Sequence, residues 1–164
     1  MAMRPGVRLG IDWGDARIGV AACDYAATLS YPIRTIQVRG DDQAAITEIL
    51  TIAEEYGPVH EVILGLPRNL RGKEGPAAQR MRRHAAALRA RLPGHIGLRL
   101  VDERMTTAAA ARGLRAAGRN SRQQRAVIDQ AAAVAILEYA LSIERTTGRP
   151  PGEGIDAPDH GDQS

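Results

Sequence analysis

Alternating apolar and polar residues near the start of the chain predict β-strands. In VRLGID, residues 7–12, the apolar residues Val7, Leu9 and Ile11 fall on one face, and a period of two is typical of a half-buried strand. Similar segments at 18–23 and 33–38 predict two more strands. Because the connections between the three are short, we expect them to pair antiparallel.

The hydrophobic period lengthens after residue 40, which indicates helices. Four segments place apolar residues at helical spacing, namely 41–56, 76–92, 107–118 and 121–145. Two largely apolar segments, 59–66 and 96–101, predict further strands, and the first is typical of a strand buried on both faces. Antiparallel strands followed by alternating helix and strand predict a mixed α/β domain.

The C-terminal segment differs in composition from the rest of the chain. Residues 146–164 lack hydrophobic periodicity and are rich in Gly, Pro and Asp, so we expect them to be disordered. Residues 152–164 contain four acids and no Lys or Arg. The sequence therefore predicts one folded domain, residues 1–145, followed by a disordered acidic tail, residues 146–164.

The charge of the chain indicates a polyanionic partner. The net charge is +3, and because residues 152–164 carry four of the negative charges, the remaining chain carries +7. Nearly all of the positive charge is arginine, since Lys73 is the only lysine, and the planar guanidinium suits phosphate oxygens. Solubility is the alternative explanation for a basic chain.

The sequence also predicts where the protein is located and whether its cysteine forms a disulfide. We expect a cytoplasmic protein with no membrane partner, because no apolar run looks long enough to cross a bilayer and MAMRPGVRLG does not resemble a secretory signal. Cys23 is the single cysteine, so it forms no internal disulfide. We predict that it is buried on the second strand, with a cross-chain disulfide as the alternative if the thiol is exposed.

Acidic residues end two of the predicted strands. Asp12 ends the first strand, where it either belongs to an ordinary polar hairpin loop or is delivered to a metal or phosphate. Asp102 and Glu103 end the fifth. Since adjacent residues on a strand face opposite ways, at most one of this pair should point towards the site that Asp12 serves; a solvated acidic pair is the alternative.

Asp129 lies on a helix that is apolar over most of its circumference. Burying an unpaired carboxylate is costly, so Asp129 either lies near an exposed helix end, pairs with an arginine or binds a cation. Three acids from separate segments would suit Mg²⁺ or Mn²⁺, which prefer oxygen ligands. The four histidines show no metal-ligand spacing, and we expect none of them to be catalytic.

Basic residues form two candidate phosphate-binding segments. The loop RNLRGKEG places Arg68, Arg71 and Lys73 before a predicted helix, where they either contact phosphates or form a solvated loop. Arginines also recur every three or four residues across a helix junction, at Arg112, Arg115, Arg119, Arg122 and Arg125. Aromatic residues are scarce, so we expect recognition of the nucleic-acid backbone and shape rather than base stacking.

Four segments, GIDWGDARIGVA, VILGLPRNLRGKEGP, VDERMTTAAA and IDQAAAVAILE, together resemble the YqgF/RuvX family over about residues 7–141. Members of this family are described as nucleases that process the 5′ end of pre-16S ribosomal RNA or as Holliday-junction resolvases. The resemblance implies a ribonuclease H-like α/β fold for residues 1–145. This fold is a five-stranded mixed sheet, with its first three strands antiparallel, flanked by helices.

The resemblance also implies an active site. The acidic triad of the family carries over onto Asp12, Glu103 and Asp129, as catalytic residues and as ligands of two Mg²⁺ or Mn²⁺ ions. Such a pair of ions supports hydrolysis of a phosphodiester bond, so the implied activity is that of a metal-dependent endonuclease. The residues expected to hold the structured RNA or branched DNA are Arg68, Arg71, Lys73, Arg104, Arg119 and Arg122.

Several functions remain open at the level of sequence. Resemblance to this family, rather than to the better-defined resolvases, favours processing of the 5′ end of pre-16S rRNA. Resolution of a Holliday junction is the alternative and requires a homodimer, because symmetric cleavage needs two active sites. A non-catalytic nucleic-acid-binding module is a third possibility. An actin-like phosphate-binding enzyme is not expected, because 164 residues leave no room for its second domain.

Overall fold

A single sheet forms the centre of the structure. The computed structural model describes residues 3–108 and 121–157, and its sheet has the strand order β3-β2-β1-β4-β5-β6. The strands are β1 (Val7–Trp13), β2 (Arg17–Cys23), β3 (Ser30–Gln37), β4 (Val59–Leu66), β5 (Gly97–Asp102) and β6 (Glu153–Gly154). The helices are α1 (Gln43–Glu55), α2 (Pro76–Arg91), a 3₁₀ turn (Glu103–Met105) and α3 (Arg122–Thr147).

The predicted mixed sheet, with its first three strands antiparallel, is confirmed. β1 and β2 pair antiparallel, as do β2 and β3, whereas β4 pairs parallel with both β1 and β5. The predicted number of five strands is wrong, because β6 adds a sixth strand antiparallel to β5. This strand comes from the segment that the composition predicts to be disordered.

Long-range contacts explain the sixth strand. Arg82 of α2 donates hydrogen bonds of 2.7 Å to Glu153 and to Glu74, which fasten β6 to the helix and to the preceding loop. Gly152 has a φ of +63°, and an added Cβ there would overlap the carbonyl oxygen of Leu100. Composition alone does not show such partners, which come from elsewhere in the chain. Residues 158–164 of the predicted tail lie outside the described residues.

The sheet carries a hydrophobic core on each face. Leu9 and Ile11 of β1 belong to a buried cluster shared with α1 and α2. On the opposite face, Ile63 of β4 is buried with Ala133 and Ile136 of α3. The helices that cover the sheet therefore lie on both sides, as the alternation of strand and helix predicts.

The helix ends follow the expected capping chemistry. Ser121 accepts a hydrogen bond from the Gln124 N–H, and the Gln124 side chain accepts one from the Ser121 N–H, which forms a capping box at the start of α3. Gly148 ends this helix with a φ of +70°, a left-handed conformation that favours glycine. Most of the helix predicted over 107–118 lies outside the described residues.

By length and composition, α3 could cross a membrane, which corrects the expectation that no segment is long and apolar enough. One side of the helix is packed into the fold, where Ala132 and Ala133 are buried against the sheet. The same helix also buries two carboxylates, those of Asp129 and Glu144. A helix that is apolar around most of its circumference is also typical of the centre of a folded domain.

Cys23 is fully buried on β2, as the sequence predicts. Its sulfur accepts a hydrogen bond of 3.2 Å from the Arg8 N–H. Burial raises the pKa of the Cys23 thiol and so disfavours the reactive thiolate. A cross-chain disulfide requires an exposed sulfur, so this placement does not support one.

A buried ionic cluster joins the N-terminal segment to the end of α3. Glu144 accepts hydrogen bonds from Arg4 at 2.6 Å and from Arg8 at 3.1 Å, and Arg4 also donates to Glu61 of β4 at 3.0 Å. Burial raises the pKa of Glu144, but the hydrogen bonds from Arg4 outweigh it, and the net pKa is lowered. Ionised Glu144 therefore stabilises the fold.

Replacing Gly10 with Ala should destabilise the protein. An added Cβ would lie 2.6 Å from Leu137 Cβ and 2.7 Å from the Ala133 carbonyl oxygen, so α3 would have to move away from the sheet. Such overpacking costs about 1–3 kcal/mol, measurable as a loss in the free energy of unfolding in urea. Gly94→Ala is the control, because no atom of the described residues lies within 4 Å of a Cβ added there. Equal stability of the two variants would contradict this prediction.

The Glu144→Gln variant should be less stable than the wild type at neutral pH, by about 3 kcal/mol, because it leaves the buried Arg8 without its charged partner. The lowered pKa means that the contribution of Glu144 is present above its ordinary value of 4.5 and disappears as the pH falls through the folded-state pKa. The stability difference should therefore shrink below about pH 4.5. Urea unfolding from pH 3 to 7 measures it, with Glu48→Gln, an exposed partner of Arg34, as the control. A pH-independent difference would argue against this assignment.

Candidate active site

Asp12 lies between two glycines at the end of β1. It pairs with Gly19 of β2. On its other side, the register that pairs Ile11 with Leu64 places Gly65 of β4 beside it. Neither neighbour carries a side chain, and the Asp12 carboxylate is fully buried between the strands and the layer that covers them.

That layer is α3. Gly10 faces Leu137 of α3, and residues two apart on a strand share a face, so the Asp12 side chain also points towards α3. A Cβ added to Gly19 would overlap the carbonyl oxygen of Asp129. The helix therefore touches the sheet backbone at the strand pair that holds Asp12, and this contact brings Asp129 to Asp12.

Glu103 reaches the same place from the end of β5. It begins the 3₁₀ turn, and its Oε2 lies 3.3 Å from the position of a Cβ added to Gly65. Asp12 and Asp129 are 0% exposed and Glu103 is 5% exposed. Asp102 stays partly exposed and binds arginine instead, so one residue of this acidic pair faces the site.

Arg17 pairs with one of these acids. Its Nε donates a hydrogen bond of 2.8 Å to Asp129 Oδ2, so of the three environments considered for Asp129, the structure shows pairing with an arginine. The sequence analysis assigned Arg17 no role. The alternation of side chains along β2 could have indicated this role, because Arg17 lies two residues before Gly19 and therefore on the same face of the strand.

The donor set suits a hard divalent cation, since three carboxylates from separate segments supply oxygen ligands. Among the described residues, however, no group of three His, Cys, Asp or Glu side chains is close enough together to hold a metal ion. Arg17 occupies an oxygen of Asp129. Binding an ion to all three acids would therefore require the carboxylates to move closer together, and a contact with Asp129 Oδ2 would compete with Arg17.

The loop between β4 and α2 is organised by Asn69. Its Oδ1 accepts hydrogen bonds of 2.9 Å from the N–H groups of Arg71 and Lys73. The Asn69 N–H donates to the carbonyl oxygen of Lys73 at 2.9 Å, and the Gly72 N–H donates to that of Asn69 at 2.8 Å. The backbone is therefore held in a compact turn that presents basic side chains to solvent.

Asp102 joins this loop to the acidic site. It accepts a 2.6 Å hydrogen bond from Arg104 Nη2, and its carboxylate lies 3.9 Å from Arg68 Nε. The hydrogen bond from Arg104 lowers the pKa of Asp102. Because Arg104 follows Glu103 directly, the structure brings Arg68 and Arg104 together next to the acids.

The remaining predicted basic residues lie further along the chain. Arg122 is exposed at the start of α3. It precedes Asp129 by two helical turns, roughly 10 Å along the axis. Arg119 lies outside the described residues. The acids and the basic loop thus meet at one end of the sheet, whereas Arg122 would reach a more distant part of a bound strand.

An open cavity of about 410 Å³ lies beside the site, between the β1–β2 turn and α2. It is lined by Trp13, Arg17, Arg80 and His84, among others. The rings of Trp13 and His84 are stacked, with centroids 4.6 Å apart and an interplanar angle of 9°. Sequence analysis did not find this cavity, because Trp13 and His84 are distant in sequence.

Comparisons with known proteins identify relatives. A Streptomyces avermitilis protein named "Putative pre-16S rRNA nuclease" is 53% identical to this chain over 95% of the chain and 98% of that protein. A Streptomyces coelicolor protein of the same name is 53% identical over 94% of the chain and 90% of that protein. Among solved structures, Thermus thermophilus RuvC is 15% identical, with a TM-score of 0.48, over 91% of this chain and 99% of that chain.

The family itself is shown by a match over most of the chain. The sequence model of RuvX, described as Holliday junction resolvase, matches residues 6–143. This range contains all three acids and the basic loop. Together with relatives that share about half of their residues with it, the match shows that this chain belongs to the RuvX family.

Proposed function

We propose that this protein is a divalent-metal-dependent endonuclease that processes the 5′ end of pre-16S ribosomal RNA in the cytoplasm. One observation carries the chemical part of the proposal. Asp12, Glu103 and Asp129 each bury a carboxylate near the end of β1, where Gly19 and Gly65 leave room on either side of Asp12. The names of the relatives support the choice of substrate.

The three proposed metal ligands come from three different elements of the fold. Asp12 provides a carboxylate from the sheet, while Glu103 and Asp129 provide carboxylates from the turn after β5 and from α3. These three would hold one or two Mg²⁺ or Mn²⁺ ions, which when bound supply activation of a water molecule and stabilisation of the leaving oxygen.

Basic residues would position the phosphodiester. Arg104 and Arg68 are held beside Glu103 by their contacts with Asp102, so both can reach a phosphate that lies over the acids. Arg71 and Lys73 project from the organised loop and would contact neighbouring phosphates. Such contacts fix the register of the strand but do not read its bases.

Arg17 would act on the acids themselves. A buried carboxylate without a partner is strongly destabilising, and Arg17 satisfies Asp129 in the absence of a cation. A cation held by Asp129 would leave the Arg17 guanidinium free to contact a phosphate of the substrate. Arg17 would then exchange one anionic partner for another.

A second candidate function has specific support in the description of the family, which is Holliday junction resolvase. Symmetric cleavage of a four-way junction requires two active sites and hence a homodimer. A third candidate, a non-catalytic nucleic-acid-binding module, would keep the basic surface but use the acids only for folding. Substrate choice and oligomeric state distinguish these functions from ribosomal RNA processing.

The Asp12→Asn variant should lose nuclease activity. Mutating a residue that only supports a metal ligand typically costs roughly 10–100-fold in metal affinity or activity. Removing a carboxylate that itself binds the metal should therefore cost at least about 100-fold in cleavage rate. The assay compares a labelled pre-16S rRNA 5′ leader with a synthetic four-way DNA junction, in Mg²⁺, Mn²⁺ or chelator. Glu138→Gln, an exposed carboxylate on α3, is the matched control and should retain wild-type activity.

Each result of this assay selects one function. Faster, metal-dependent cleavage of the RNA supports the proposal. Faster cleavage of the junction by a protein that is dimeric in sedimentation supports the resolvase. Binding of either substrate without cleavage, unchanged by Asp12→Asn, supports the binding module and rejects the nuclease.

Replacing Arg17 with Met should make the protein more responsive to divalent cations. Loss of the buried ion pair costs about 3 kcal/mol, so the melting temperature should fall in chelator. Because a cation can then neutralise Asp129 without displacing Arg17, adding Mn²⁺ should raise the melting temperature of this variant more than that of the wild type. Arg34→Met, which removes an exposed ion pair on β3, is the control. An equal response of variant and wild type to Mn²⁺ would contradict the exchange.

A further inference from the structure

The cavity between the β1–β2 turn and α2 has no part in the proposed chemistry, yet it is connected to the acidic site. Trp13 and Gly14, which line it, directly follow Asp12 in the chain. Arg17 lines the cavity and also binds Asp129. A strand that lies over the acids could therefore continue across Arg17 into this space.

One wall of the cavity is a pair of stacked rings. Trp13 is 4% exposed, whereas the His84 side chain is 20% exposed, so the imidazole covers the indole and is the ring that a ligand would meet. The His84 Nδ1 lies 2.7 Å from Asp42 Oδ2, and this contact fixes the orientation of the ring. His84 thus offers a flat surface backed by a second aromatic ring.

Burial of the Trp13 ring carries an energetic cost. Its indole N–H is buried and has no hydrogen-bond partner in the described part of the chain, which is unusual for a buried donor. The stack with His84 accounts for a flat ring at this position, because a branched aliphatic side chain could not support the imidazole face to face.

The charges around the cavity favour an anionic ligand. Arg80, on the first turns of α2, is exposed and lines the cavity together with Arg17, while Asp15 supplies one opposing charge. Ala77, in the first turn of α2, also lines it, and the positive end of the helix dipole adds attraction for a phosphate. The volume of about 410 Å³ falls within the range typical of small-molecule sites.

We propose that this cavity binds an unpaired nucleotide of the substrate strand, next to the phosphate that is cleaved. The base would stack on His84, and the phosphate would lie beside Arg80, near the N-terminus of α2. This inference rests on the proposed nuclease function and narrows its substrate, because a base can enter the cavity only when it is outside a duplex stack. It differs from the expectation, drawn from the scarcity of aromatic residues, that recognition uses the backbone and shape of the nucleic acid rather than base stacking.

The test measures binding in the absence of cleavage. A single-stranded RNA heptamer with a central 2-aminopurine is titrated with full-length protein in chelator, and the fluorescence change reports both affinity and stacking. His84→Ala should weaken binding about 5- to 150-fold, the change that corresponds to a stacking energy of about 1–3 kcal/mol. Arg80→Ala should also weaken it. A duplex of the same sequence should bind more weakly than the single strand.

Two further variants separate stacking from folding. His84→Phe keeps a flat ring and should retain most of the affinity and the fluorescence change. His95→Ala removes a histidine outside this cavity and should bind like the wild type. Melting temperatures identify any variant that has lost its fold.

Two outcomes would overturn the inference: wild-type affinity in a folded His84→Ala protein, or no binding of the heptamer by the wild type. These outcomes are separate from failure of the nuclease proposal, because the measurement needs no cleavage. If His84 governs binding but the wild type cleaves neither substrate with Mg²⁺ or Mn²⁺, the nucleotide site stands and the nuclease function does not.

Discussion

The close contact between α3 and the backbone of the sheet is the constraint on which the rest of the structure depends. It is possible only because Gly10 and Gly19 carry no side chains where the helix crosses β1 and β2. At this distance, Asp129 lies against the strand pair that holds Asp12. A helix one side-chain layer further from the sheet would separate the two acids, and the site would not form. The glycines therefore set the spacing of the two layers.

Close packing of the helix on the sheet buries carboxylates, and nearby arginines pair with some of the acids in this region. Buried carboxylates are destabilising unless they are paired, and three of them are buried near the end of the sheet, those of Asp12, Glu103 and Asp129. Arg17 satisfies Asp129 from the neighbouring strand, while Asp102 remains near the surface and gathers Arg68 and Arg104. The buried acids and the surface arginines are therefore kept apart, because the partly exposed Asp102 holds the arginines at the surface.

The two faces of β1 are used differently. Asp12 points towards α3 and the acids, whereas Trp13, the next residue, points to the opposite face and packs against His84 of α2. Alternation along one strand thus places a charged group and an aromatic group on either side of the same strand end. Arg17 reaches both regions. A polynucleotide, which alternates charged phosphates and flat bases, matches this arrangement.

The sequence by itself determined the elements and the identity of the acids. Periodicity located the first five strands and three of the helices, since burial of one face follows from spacing alone, and the family motifs singled out Asp12, Glu103 and Asp129. Only the tertiary structure decided which groups meet. The pairing of Arg17 with Asp129, the stacking of His84 on Trp13 and the docking of β6 through Arg82 all join residues that are distant or unremarkable in sequence. Local patterns report which face of an element is buried, whereas the partner buried against it depends on how the whole chain packs.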